Sequence, residues 1–264
     1  MNSLSWDTLY SRCYTPYSGL KEVCVITGKT GTMYPGVRIE SASLPLTIHA
    51  IQTAIFTCLS EGDHPSVLLV PERGGYNELN IGATEYTNTE EYANTDRIPN
   101  DVLSTWCNLY SIRPEITREI DEQEPEQLFQ TTETGLNINR LTELTSRCIT
   151  PYSSFPVTAL LSTDSGVFSG VNIELNDWQK GLCAERVALG KALSCGASKL
   201  YEMHVYAPKS DYASPCGACR QVLTEQMNDG CLHLHHSKTE LTYLTISALL
   251  PYPFIAKRRR DPDA

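Results

Sequence analysis

Cys183-Ala184-Glu185-Arg186 and, further along, Pro215-Cys216-Gly217-Ala218-Cys219-Arg220 hold the residue types of a hydrolytic metal site. Thiolates are soft ligands that suit zinc. Three of them fill three tetrahedral positions and leave the fourth open for water, whereas a structural zinc is normally closed by a fourth Cys or His. Cys216 and Cys219 stand three apart, a spacing that puts both sulfurs on one side of a helical turn. The chain has no second Cys-x-x-Cys, so the ligand set of a structural zinc ribbon is missing. Glu185, two residues beyond Cys183, is placed to touch a metal-bound water without ligating the metal. Such a water gives up its proton near about pH 7, and a carboxylate that moves this proton is worth roughly 10²–10⁴ in rate. Arg186 and Arg220 each follow a motif directly and are candidates for donating hydrogen bonds to sulfur, which would offset the charge of three thiolates on one zinc. One zinc ion per chain is expected, held in the second half.

The surrounding pattern says how these residues are positioned. Val157–Leu161 and Val167–Leu175 predict strands joined by the turn Thr163-Asp164-Ser165-Gly166, a hairpin. Cys183–Cys195 predicts a helix with Gly196 at its left-handed cap. His204–Ala207 predicts a strand, Cys216–Met227 a helix entered through Pro215, and Cys231–His235 another strand. Both cysteine motifs therefore open helices, where the positive end of the macrodipole favours thiolate. Strands alternating with helices imply a layered α/β domain.

The chain is also written twice. Ser11–Ser18 recurs as Ser146–Ser153 with a single difference, Tyr14 against Ile149. Val37-Arg38-Ile39-Glu40 lies against Val171-Asn172-Ile173-Glu174, and the gapless register runs on to Gly62 against Gly196. Two copies of one domain follow, with boundaries expected at residues 1–133 and 134–264. The first copy lacks the chemistry: His49 faces Cys183, Ile51 faces Glu185, and no cysteine pair follows. His49 reads as a hydrogen-bonded histidine rather than a relic ligand. Arg113–Thr134, rich in Glu and Asp, reads as an exposed acidic linker, and Glu72–Asn100 as a long surface loop.

Composition narrows the partners. A net charge of −10 over 264 residues opposes binding to a phosphate backbone, and Lys257-Arg258-Arg259-Arg260 reads as a solvated tail. A small molecule is the better substrate, with no nucleic acid involved. Met1–Leu20 shows no basic stretch leading into an apolar one, and no apolar run approaches a membrane span. The ten cysteines are then expected to be reduced thiols in a cytoplasmic protein that does not bind membranes.

A His or Cys, then x-Glu, then Pro-Cys-x-x-Cys is the signature of zinc deaminases. The second copy resembles the cytidine deaminase family in particular. Pro151–Val157 resembles its entry motif, Gly170–Glu174 its ribose-binding strand, Ser214–Val222 its zinc helix and Leu249–Phe254 its C-terminal motif. The resemblance covers about residues 140–255, and the first copy more weakly. It implies two tandem three-layer α/β/α domains, each a mixed sheet flanked by helices. It implies a hydrolase of pyrimidine salvage that converts cytidine or 2′-deoxycytidine to the uracil nucleoside and ammonia, with Cys183, Cys216 and Cys219 on zinc and Glu185 moving protons. It further implies that Asn172 and Glu174, on one face of a strand, hold the ribose hydroxyls. Phe155 would pack on the base, the residues at Cys183 and Ala184 would read the base edge, and Phe254 would reach a neighbouring site.

Departures from the family pattern bear on substrate. Glu174-Leu175-Asn176-Asp177-Trp178-Gln179-Lys180 replaces the usual Glu-Asn-Ala-Ser-Tyr-Pro-Leu, and Thr158 stands where Gly is favoured. The first copy keeps the motif better, as Glu40-Ser41-Ala42-Ser43-Leu44-Pro45-Leu46, a segment that in the family contributes to sites across subunit contacts. The resemblance thus implies that residues 40–46 help close the second copy's site. Three-cysteine members are typically tetramers of single domains, so a homodimer of this chain would reproduce four domains. Three rival readings are a blasticidin-type nucleoside deaminase, a polynucleotide editing deaminase and a non-catalytic zinc-binding regulator. Glu174 opposes the first, the net charge the second, and the intact Cys-Ala-Glu the third.

Overall fold

A computed structural model describes residues 4–72, 98–120, 136–227 and 229–255. The chain divides into two compact α/β units: Met1–Glu40 with Ile48–Phe129, and Ser41–Thr47 with Gln130–Ala264. Each is a mixed sheet flanked by helices.

The first unit opens with α1 (Trp6–Arg12), whose N-cap Ser5 accepts from the Thr8 N–H. β1 (Val23–Gly28) and β2 (Met33–Val37) form an antiparallel hairpin, α2 (Ala50–Ser60) packs on it, and β3 (Pro65–Pro71) returns antiparallel beside β1. All residues of α2 are buried, as expected of a helix that carries apolar or small residues around its whole circumference. α3 (Asn100–Tyr110) leads into β4 (Arg113–Thr117), parallel to β3, giving the order β2-β1-β3-β4. This corrects the expectation of a linker from Arg113 onward. An edge strand is held by backbone pairing and can carry charges such as the Arg113–Glu115 pair, 2.7 Å apart, so its composition resembles that of a loop. The rest of the expected linker beyond Ile120, the interior of the expected 72–100 loop and the basic 257–260 run lie outside the described residues.

In the second unit, α4 (Ile138–Leu144) precedes the hairpin of β5 (Thr158–Thr163) and β6 (Gly166–Val171), which turns where the sequence predicts. α5 (Ala184–Ser194), β7 (Leu200–Tyr206), α6 (Gly217–Gln226) and β8 (Cys231–His235) follow, with β7 and β8 parallel. β9 (Leu241–Thr245), which hydropathy does not reveal, pairs antiparallel with β8 and completes the order β6-β5-β7-β8-β9. α5 and α4 cover opposite faces. Gly170 on β6 is paired with Ala159 and approaches α5 so closely that an added Cβ would lie 2.2 Å from the Ala184 carbonyl oxygen. Thr158, one residue along and so on the other face, donates to the Leu141 carbonyl of α4 at 2.9 Å. Three layers result.

The repeat seen in the sequence recurs in detail. Gly36 makes the same close approach to Ala50 O of α2 that Gly170 makes to Ala184 O. Glu40 accepts the Tyr17 and Ser18 N–H groups and the Ser18 hydroxyl, as Glu174 accepts those of Tyr152, Ser153 and the Ser153 hydroxyl.

Candidate metal centre and active site

Cys183 is the N-cap of α5, Cys216 the N-cap of α6, and Cys219 lies in the first turn of α6. Neither residue makes a side-chain cap hydrogen bond, and the Cys219 N–H at the start of α6 helps to lower the Cys216 pKa. The Sγ atoms of Cys183 and Cys216 are 3.5 Å apart, and the three sulfurs lie within 4.8 Å of one another. Thiolates sharing a zinc at about 2.3 Å stand about 3.8 Å apart, so the set fits that ion. Without a cation the three thiols divide their protons unequally. Cys216 is pushed down by hydrogen bonds from Cys183 and Cys219, and those two are pushed up by giving them. A divalent cation relieves this competition by replacing the shared protons. The site is graded in exposure, with Cys219 buried, Cys183 intermediate and Cys216 exposed, so it opens on one side.

Glu185, in the first turn of α5, is 3% exposed. Burial is the main force on its carboxyl and raises the pKa to about 7, partly opposed by the residue's own N–H and helped by the charge at Cys216. Its side chain is within hydrogen-bond reach of Cys219, and Oε2 is buried without a partner. A buried carboxyl with one unused oxygen beside three metal ligands can hold and release a proton at neutral pH. Arg186 sets its guanidinium against the Cys183 sulfur, where the three cysteines outweigh burial and keep it charged. Arg220 goes elsewhere than expected. It donates to the Pro215 carbonyl (2.9 Å) and the Ser214 hydroxyl (2.6 Å), and so braces the loop that presents Cys216.

The residues expected to meet substrate lie around the loop before β5 and at the end of the described chain. Asn172 accepts the Val157 N–H through Oδ1 and donates from Nδ2 to the Phe155 carbonyl, both at 2.9 Å. Glu174 is drawn upward by burial but held below the usual carboxylate range by the stronger effect of Ser153 and Tyr152. Both side chains thus set the backbone course of residues 152–157 and keep lone pairs beyond those bonds. Phe155 is 36% exposed and Phe254 64% exposed. Ala184 is fully buried at the start of α5.

The first unit spends the equivalent positions differently. His49 Nδ1 lies 2.9 Å from Glu22 Oε2, Arg38 also pairs with Glu22, and Ile51 is fully buried. The histidine is bound to a carboxylate, and the position of Glu185 is held by an apolar side chain that cannot move a proton.

One arrangement was not legible in the sequence. Within the second unit, Ser41 Oγ donates to Glu225 Oε1 at 2.7 Å and the Ala42 N–H to Oε2 at 2.8 Å. Gln221 donates to the same Oε1 (2.7 Å) and to the Phe254 carbonyl (2.6 Å). Segment 41–47 is thereby fastened to α6, the helix that carries Cys219. Only the similarity of Glu40–Leu46 to a family motif pointed there; nothing in the sequence pairs it with Glu225.

A layered α/β unit with cysteines at two converging helix starts and a buried carboxyl between them defines a metal-dependent hydrolytic enzyme. Comparison with known proteins makes the assignment specific. Residues 136–231 match the family model described as the cytidine and deoxycytidylate deaminase zinc-binding region. The cytidine deaminase of Sporosarcina psychrophila is 41% identical over 106 residues, 39% of this chain and 78% of the relative. That of Halalkalibacterium halodurans is 40% identical over 113 residues, 42% of this chain and 86% of the relative. A crystal structure of cytidine deaminase from Burkholderia pseudomallei is similar at 31% identity and a TM-score of 0.40, covering 44% of this chain and 95% of that one. The chain belongs to the cytidine deaminase family.

Proposed function

We propose that the chain catalyses hydrolytic deamination of cytidine and 2′-deoxycytidine, taking up water and releasing ammonia and the uracil nucleoside. The observation that carries this reading is Glu185: buried, with an oxygen free of partners, beside three cysteines that fit zinc. Bound zinc supplies an activated water at Cys183, Cys216 and Cys219. Glu185 accepts a proton of that water as its oxygen adds to C4 and delivers it to N3 of the base; it then takes the proton of the new C4 hydroxyl and passes it to the amino group, which leaves as ammonia as the C4–N bond breaks. Its pKa of about 7 suits both directions of transfer. Asn172 and Glu174 hold the ribose, Phe155 packs on the base, the residues at Cys183 and Ala184 read the base edge and Phe254 reaches a neighbouring site. The exposure of both phenylalanines and the spare lone pairs of the polar pair support these roles. Arg186 stabilises the thiolates, and Arg220 fixes the Cys216 loop.

In this reading residues 134–264 form the catalytic domain and residues 1–133 a degenerate companion, whose segment 40–46 completes the site through its anchorage on α6. The second unit also exposes the aromatic side chains of Tyr152, Trp178, Tyr243 and Tyr252, which is in keeping with a homodimer. All ten cysteines are free, which supports a cytoplasmic location. Among the described residues no helix is long and apolar enough to cross a membrane.

The test is loss of ultraviolet absorbance by purified protein offered cytidine, deoxycytidine, cytosine, a blasticidin-type nucleoside and short single-stranded DNA, with the particle mass read by light scattering. Turnover of the first two, by a particle of twice 29.4 kDa, is expected. Turnover of the antibiotic or the DNA alone contradicts the substrate assignment, and a monomer contradicts the dimer.

A further inference from the structure

On the α4 side of the second unit's sheet, opposite the face that packs against α5, lies a second group of metal-binding side chains. Strand register puts it there: His204 is paired with Leu160, which shares its face with Thr158, and with His233 on β8. Glu202 precedes His204 by two residues and is paired with Cys231, so all four side chains stand on one face. Glu202 Oε2 is 3.1 Å from His233 Nε2 and 3.7 Å from His204 Nε2. The two rings stack with centroids 4.2 Å apart, and one donor atom from each of Glu202, His204 and His233 falls within 4.8 Å of the others.

The hydrogen bonding of His204 is what makes this more than a polar cluster. Its side chain is 9% exposed, and Nε2 is buried without a hydrogen-bond partner. Nδ1 lies 2.9 Å from His235 Nε2. If Nδ1–H donates to His235, the lone pair of Nε2 is stranded in the interior, aimed at a carboxylate oxygen. The opposite tautomer strands an N–H too far from Glu202 for a hydrogen bond. Each arrangement leaves a buried polar atom unsatisfied, at the cost of its lost hydration. A cation at the Glu202–His204–His233 focus removes that cost, because the His204 lone pair becomes a ligand while Nδ1–H is held by His235. A ligating imidazole whose other nitrogen is hydrogen-bonded is the usual arrangement at such sites.

We propose that Glu202, His204 and His233 bind a second divalent transition-metal ion of the zinc or cobalt class, on the opposite face of the sheet from the cysteine site. Two imidazoles and a carboxylate suit such ions, whereas magnesium and calcium favour all-oxygen sites. Cys231 Sγ, 3.7 Å from His233 Nε2, is the adjacent group able to join the ligand set. The site needs no substrate and stands apart from the deamination chemistry.

The probe is zinc itself, titrated into the full chain already carrying one equivalent, with stoichiometry read by calorimetry and elemental analysis after desalting. A second equivalent is expected in the parent and absent in Glu202→Gln and His233→Gln, which retain the first equivalent and an unchanged circular dichroism spectrum. X-ray absorption of the parent gives an answer that does not depend on any variant folding. The second equivalent should add nitrogen and oxygen neighbours at about 2.0–2.2 Å, whereas the first is dominated by sulfur. Failure of the parent to take up a second equivalent overturns the proposal, as does an equivalent that survives in both variants. Loss of the sulfur-dominated signal alone would instead count against the cysteine site.

Discussion

At the scale of single residues, the division of labour follows from burial. Cys219 and Glu185 are enclosed, Cys216 is exposed, and Arg186 reaches the Cys183 sulfur from the next position on α5. Removing that guanidinium leaves three negative sulfurs without their nearest positive partner. Outer-shell losses of this kind typically weaken metal affinity by roughly 10–100-fold. Arg186→Ala is expected to fall in that range when zinc is competed away with a chelator, and parental affinity would show that the arginine does not support the thiolates. The cysteine cluster and Glu185 could be singled out in the sequence because residues with that chemistry stand at spacings of two and three. The role of Arg220 was not legible there, because a position after a ligand does not say whether the guanidinium turns to sulfur or, as here, to Pro215 and Ser214.

At the scale of elements, the active groups depend on how tightly α5 lies on the hairpin. Gly170 allows that approach, since any Cβ would sit 2.2 Å from Ala184 O and 2.5 Å from Ala188 N, both backbone atoms of α5. Neither atom can yield without moving the helix start that carries Cys183 and Glu185. Gly170→Ala is therefore expected to destabilise the unit by about 1–3 kcal/mol, the usual range for overpacking, and to weaken zinc retention. A denaturant midpoint and zinc content equal to the parent's would refute it. Helices α5 and α6 and the β5–β6 hairpin were readable from periodicity and turn residues. β4 and β9 were not, because edge strands such as Leu241–Thr245 alternate between exposed and half-buried residues and owe their place to backbone pairing. The histidine cluster was hidden for a related reason: its members converge only through the β7–β8 register.

At the scale of the whole molecule, two units share a repeated sequence pattern, and the Cys-x-Glu and Cys-x-x-Cys motifs occur only in the second. His49 is tied to Glu22, and Ile51 stands where the acid–base group would be. Segment 41–47 is fastened to α6 through Glu225, and we propose that it helps close the site. Deleting residues 1–133 is expected to cut deamination more than a hundredfold while the remaining chain keeps its zinc at the cysteine site. A truncated chain as active as the parent would show that the second copy is self-sufficient. The sequence displayed the duplication and the loss of ligands, but the anchorage joins side chains far apart in the chain and leaves no local pattern to read.

We propose that Glu185 moves the protons of a reaction whose metal is held independently of it. The most direct measurement compares zinc content and cytidine turnover in Glu185→Gln, which keeps the side chain's size and removes its acid–base capacity. Zinc at the parental level with turnover reduced by roughly 10²–10⁴ is the predicted result. Parental turnover in that variant would contradict the account.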